Sequence, residues 1–150
     1  MTGGDFFNHP RERNDLEGIT AEEGHPRYHS AGNCLIETES KTLILGCKNS
    51  VIPDDGSVEK ISADAFSYCD GLTTVVLSNN VGTISAGAFE NCNRLSSVFY
   101  LGTQEERKNN LWIENQNEPI ALATWYYYSE EKPEEEGNYW HYVDSEPTVW

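Results

Sequence analysis

The sequence predicts an α/β repeat: a solenoid of short parallel strands that carries a β-hairpin insertion and ends in a C-terminal β cap. Three observations predict it. A 23-residue self-similarity runs from residue 58 to residue 100, two apolar runs flank a short polar stretch between residues 34 and 46, and the last fifty residues hold all four Trp and five of the eight Tyr. At 150 residues, 37% of them hydrophobic, the chain has the size of one ordinary domain.

The repeat is the strongest signal. Val58-Glu-Lys-Ile61-Ser-Ala-Asp-Ala65-Phe66-Ser-Tyr-Cys69-Asp-Gly-Leu72-Thr-Thr-Val75 matches Val81-Gly-Thr-Ile84-Ser-Ala-Gly-Ala88-Phe89-Glu-Asn-Cys92-Asn-Arg-Leu95-Ser-Ser-Val98. Eight apolar positions recur in register while most residues between them change polar type, the pattern of a buried ladder between stacked turns. Within one turn, Leu72, Val75 and Leu77 lie in a run with Thr73, Thr74 and Val76 that suits a strand. Ser78, Asn79 and Asn80 turn the chain. The apolar residues from Val81 to Cys92 come mostly three or four apart, so the return side is expected to be short and helical or irregular. Such a unit cannot bury its apolar side alone and must stack, which makes the strands parallel.

The pattern Leu-x-x-Val, turn, Val-x-x-Ile-x-x-x-Ala-Phe-x-x-Cys resembles the BspA-type leucine-rich repeat of bacterial surface and secreted proteins. A degenerate earlier repeat is placed at Leu16 to Gly24, aligned with Leu72 to Asn80. Residues 1–15 depart from the pattern, with Pro10 where the family has its Phe, and read as either a frayed, truncated end of a longer array or an atypical native cap. The solenoid is thus placed at residues 16–100. The two apolar runs around Cys34–Ile36 and Thr42–Gly46 predict a hairpin, which also resembles an insertion found in that family. Val51-Ile52-Pro53 is expected to supply the next strand, with Asp54 to Ser57 as its turn.

Residues 101–150 are expected to form a helix and an aromatic cap. Thr103-Gln-Glu-Glu106 has capping-box spacing, which predicts a helix ending near Asn109-Asn110. Strands are expected at Thr124–Tyr128, Tyr139–Val143 and Thr148–Trp150, with a charged loop at Lys132–Gly137 and a tight turn at Asp144-Ser145. Aromatic strands can cover the last apolar layer and sheet edge of an open stack.

Charge limits the partners. Twenty-five acids against ten bases give a formal net charge of -15, of which -8 lies on residues 101–150. That argues against a nucleic-acid backbone or an anionic membrane as partner. No apolar run approaches the length of a membrane span, and no signal peptide is expected at Met1-Thr-Gly-Gly-Asp5, which has no basic region followed by an apolar stretch. The family resemblance, not composition, implies a module on or outside the cell that binds host or neighbouring-cell proteins.

No residue pattern points to catalysis, a metal or a cofactor, and the chain is expected to be a non-enzymatic monomer. Cys34, Cys47, Cys69 and Cys92 contain no Cys-x-x-Cys pair; the latter two share one slot in successive turns and read as buried thiols, while a Cys34–Cys47 disulfide stays open. Pro26 between His25 and His29 opposes a helical metal pair, His141 reads as a strand residue, and Glu130, Glu131, Glu134, Glu135 and Glu136 read as a solvated loop. Two binding surfaces are expected. On the strand face, Thr20, Val51, Val76 and Phe99 form one row and Gly18, Thr74 and Ser97 another, with Thr74, Val76, Ser97 and Phe99 the candidates for protein contact. At the aromatic end, Trp125, Tyr127, Trp140 and Tyr142 are candidates for stacking on sugar rings.

Overall fold

The computed structural model describes residues 18–150. The elements in chain order are β1 (Tyr28–Ala31), β2 (Cys34–Glu37), β3 (Thr42–Leu45), β4 (Lys60–Ile61), β5 (Thr74–Ser78), β6 (Thr83–Ile84), β7 (Ser97–Leu101), α1 (Gln104–Asn110), β8 (Trp112–Ile113), α2 (Glu118–Ala121), β9 (Thr124–Tyr128), β10 (Tyr139–Val143) and β11 (Glu146–Val149). They form two mixed sheets, ordered β1-β2-β3-β4-β6-β8 and β11-β10-β9-β7-β5. The reading of residues 1–15 and the start of the repeat at Leu16 lie outside the described residues.

The 23-residue period becomes two parallel ladders. Strand β5 pairs with β7 from Thr74↔Ser97 to Ser78↔Leu101, and β4 pairs with β6 through Lys60↔Thr83 and Ile61↔Ile84. Seven of the eight repeated apolar positions are buried in both copies, from Val58 and Val81 to Val75 and Val98. The eighth is not: Ala63 is exposed and Ala86 half-buried. Phe66 and Phe89 stack 5.0 Å apart and nearly parallel, 5° between ring planes. Gly46 seats this column, because a Cβ there would lie 2.0 Å from the Phe66 ring.

Of the two readings of the return, helical or irregular, the structure has the irregular one: a two-residue strand and a chain of tight turns. Asp64 and Tyr68 in one copy, and Gly87 and Asn91 in the next, take positive φ, which breaks any continuous right-handed helix. The amides bond three residues back instead, Ala65 to Ser62, Cys69 to Phe66 and Leu72 to Cys69, and the next copy repeats this at Ala88, Cys92 and Leu95. The return also bonds to its neighbour, Phe66 N–H to Ala88 O and Tyr68 N–H to Glu90 O.

The hairpin predicted at 34–46 is β2–β3, antiparallel with Glu37 opposite Thr42. A further strand, β1, joins it through a two-residue turn at Gly32 and Asn33, both with φ 59°. Gly32 is required there twice over, since a Cβ would also strike the Val51 carbonyl. Strand β3 then pairs in parallel with β4, so the insertion doubles as the first rung of that ladder. Val51–Pro53 is not a strand: Val51 N–H donates to Gly32 O, and Pro53 has no N–H to give a ladder. Ile52 is nevertheless buried in the core.

The parallel ladders continue past residue 100. β9 pairs in parallel with β7, Val98 opposite Trp125, and β8 with β6, Ile84 opposite Ile113. Residues 112–128 therefore add a rung, and the terminal hairpin is β10–β11, turning at Asp144 and Ser145 with φ 50° and 67°. Helix α1 starts at the predicted capping box: the Thr103 side chain accepts from Glu106 N–H, and the Glu106 carboxylate accepts from Thr103 N–H, each at 3.0 Å. That amide, aided by the Asn79 side chain, holds the Glu106 carboxyl below the usual carboxylate range. Thr103→Ala should cost about 1 kcal/mol in a urea melt. A lowered folded pKa means that the Glu106 contribution is complete above the unfolded value and lost as pH falls through the folded one. Glu106→Gln should therefore be less stable than wild type at neutral pH and level with it in acid.

Candidate functional site

Sheet pairing places the strand-face candidates as the repeat demands. Thr74, Ser97 and Thr124 are adjacent in the ladder, as are Val76, Phe99 and Tyr126. Thr74 is exposed, whereas Val76 and Ser97 are half-buried. Phe99 is only 8% exposed, because the terminal hairpin folds over it. Its ring lies 5.3 Å from Tyr126 and 5.4 Å from Trp140. Of the earlier members of the two rows, Gly18 and Thr20 are exposed, and Val51 is 63% exposed.

The hairpin turns this face into a groove. Thr74 and Val76 share an open cavity of about 390 Å³ with Val51 and Asp54 on one side and Tyr142 and Pro147 on the other. A strand-face pair and one of the predicted stacking tyrosines thus meet in one place. Pro147 is a wall residue the sequence did not single out; only its position beside a predicted turn hinted at it.

The four aromatic candidates are divided among different surroundings. Trp125 is buried in the rung, its Nε1 donating to Ile120 O at 2.9 Å, with the Arg107 guanidinium 3.6 Å over its ring. Trp140 is fully buried and donates to Tyr100 O at 2.8 Å. Tyr127 is half-buried and its hydroxyl accepts from Arg107 at 3.0 Å. Tyr142 is 40% exposed. Trp125 and Trp140 therefore offer no open ring face, while Tyr127 and Tyr142 open onto two different grooves.

The cysteines and histidines are engaged within the fold. All four cysteines are buried free thiols, so Cys34 and Cys47 are not bonded to each other. Burial pushes the Cys34 thiol up to about 12 and the Cys92 thiol to about 11, which keeps both protonated and unreactive at neutral pH. Cys92 donates to Phe66 O at 2.9 Å, a link between rungs. His25 Nδ1 accepts from two backbone amides of its own loop, His29 in β1 bonds Thr38, and His141 in β10 stacks on Trp150 at 3.6 Å. The five glutamates at 130–136 are exposed. Among the described residues no three His, Cys, Asp or Glu side chains gather as a metal site.

Parallel rungs on a 23-residue period, a stacked Phe column and an exposed strand face define a leucine-rich-repeat fold. The family model described as the BspA type leucine rich repeat region (6 copies) matches residues 42–117, from the start of β3 to the residue before α2. The chain belongs to that family. No curated protein matches it. Among solved structures it is similar to a leucine-rich repeat protein from Eubacterium ventriosum, with 15% identity and a TM-score of 0.44 over 77% of this chain. The chain spans 37% of the length of that protein.

Proposed function

We propose that the chain is a non-enzymatic protein-interaction module of a bacterial cell-surface or secreted leucine-rich-repeat protein, binding its partner as a monomer through the strand face. In this reading the parallel rungs form a solenoid that runs on through β8 and β9, and the terminal hairpin β10–β11 closes it. The observation that carries the proposal is the groove floored by Thr74 and Val76, where the exposed Thr74 hydroxyl makes no hydrogen bond within the described residues and the half-buried Val76 lies beside the wall of Val51 and Asp54. Leucine-rich repeats use such regular strand surfaces for extended partners. Phe99 supports the floor from beneath Trp140 and does not itself make contact. The extracellular placement is supported by membership of the family; among the described residues no helix is long and apolar enough to cross a membrane.

The test uses the whole chain immobilised against surface proteins of host or neighbouring cells. A partner held by wild type should lose at least about tenfold in affinity with Thr74→Arg or Ser97→Arg, while the unfolding free energy stays within the range of ordinary surface changes, about 0.5 kcal/mol. Equal retention of that partner by both variants would move the interface off this face.

A further inference from the structure

We infer that a second groove, between α1 and the paired strands β9 and β10, is a binding site for a neutral oligosaccharide. This inference does not rest on the strand-face reading, because the two grooves share no residue. The cavity measures about 830 Å³, within the range of small-ligand sites of about 300–1,000 Å³. Its walls carry the half-buried rings of Tyr127, Tyr128 and Tyr139.

The rings are held rather than loose. Tyr127 is tied through its hydroxyl to Arg107 and meets Tyr100 edge-on at 6.3 Å; Tyr128 meets Trp140 edge-on at 5.2 Å. Tyr139 folds against Gly137, where a Cβ would lie 2.8 Å from its ring. Around them stand Gln104, Lys108 and Asn138, all exposed and with no side-chain hydrogen bond or ion pair among the described residues. Fixed aromatic faces ringed by unspent amide and ammonium groups match a ligand with apolar ring faces and a hydroxyl edge.

Charge and backbone pairing narrow the class. Glu105 and Glu136 also line the groove, and the last fifty residues carry a net -8, so sulfated, sialylated or phosphorylated ligands are disfavoured. Each carboxylate can instead accept from sugar hydroxyls. A peptide docking by strand addition needs a free sheet edge, and here β9 lies between β7 and β10, while β10 lies between β9 and β11. The groove offers side chains, not an open edge.

The full chain should be applied to a printed array of neutral glucose-, galactose- and mannose-based oligosaccharides, with sialylated and sulfated counterparts alongside. At least one neutral glycan should be retained, and titration calorimetry should show Asn138→Ala lowering its affinity at least about fivefold and Tyr139→Ala abolishing it. Thr74→Arg should leave it unchanged. Gln104→Ala, on an exposed helical position, repeats the test without touching the sheet and should weaken the same glycan. Silence across the neutral glycans, preference for the anionic ones, indifference to both Asn138→Ala and Gln104→Ala, or loss with Thr74→Arg would each overturn the site; so would a peptide competing at this groove with the same variant losses.

Discussion

Trp140→Ala should destabilise the protein by about 3–5 kcal/mol and detach the terminal hairpin from the strand face before the rungs unfold. Trp140 is fully buried and touches Phe99, Tyr128 and Tyr142 at centroid distances of 5.4, 5.2 and 4.9 Å. The backbone gives the hairpin little other hold on the stack. β10 pairs with β9 over only Tyr139↔Tyr127 and Trp140↔Tyr128, whereas β7 pairs with β9 over four positions and with β5 over five. An indole that fills the space over Phe99 and also donates to Tyr100 O therefore carries most of the attachment.

At roughly 2–4 °C per kcal/mol for a chain of this size, the melting temperature should fall by about 10 °C. Hydrogen exchange separates this account from a general loss of stability. Amides of β10 and β11 should lose protection in the variant while those of β5 and β7 keep theirs. Trp140→Phe keeps a ring but no donor and should cost about 1–2 kcal/mol. If β10 stays protected in Trp140→Ala, backbone pairing holds the hairpin and the aromatic argument fails. Detachment would also open Phe99, so the alanine variant should bind hydrophobic dye more strongly than wild type.

Much of the fold was legible because the repeat exposes what packing fixes. Phe66 and Phe89, Cys69 and Cys92, and Ile61 and Ile84 recur at one offset because each must meet its counterpart in the next rung. The last rung was hidden by a change of offset. Ile113 lies opposite Ile84 at 29 residues and Trp125 opposite Val98 at 27, because α1 is inserted between β7 and β8. The return stays ambiguous in the sequence for a different reason. Spacings of three and four residues fit a run of successive tight turns as well as they fit a helix, and the positive φ of Tyr68 is not a preference its side chain advertises. The grooves depend on where the hairpin lands, and β10 reaches β9 in parallel across the 129–138 loop, a long-range choice no local pattern encodes. That is why Thr74 and Tyr142 were read as belonging to separate surfaces yet line the same one.

Asn117 shows how the same reasoning finds a residue that the sequence concealed, and its replacement by alanine should cost about 3–5 kcal/mol. In the body of the stack, Phe66 N–H is satisfied by Ala88 O of the following rung. At Phe89 the following rung has left the 23-residue pattern, and the buried N–H donates instead to the Asn117 side-chain oxygen at 2.9 Å. The same amide donates to Ser85 O and Glu114 O, each at 2.9 Å, so one side chain serves the backbone of two rungs. Asn117 is 2% exposed, and water cannot easily replace it. Truncation strands a buried N–H and weakens the pairing of the carbonyls, at about 1–3 kcal/mol for each group left unsatisfied. Asn117→Leu fills the volume without restoring any bond and should be no better than alanine; recovery by leucine would show that packing, not hydrogen bonding, is what the position supplies.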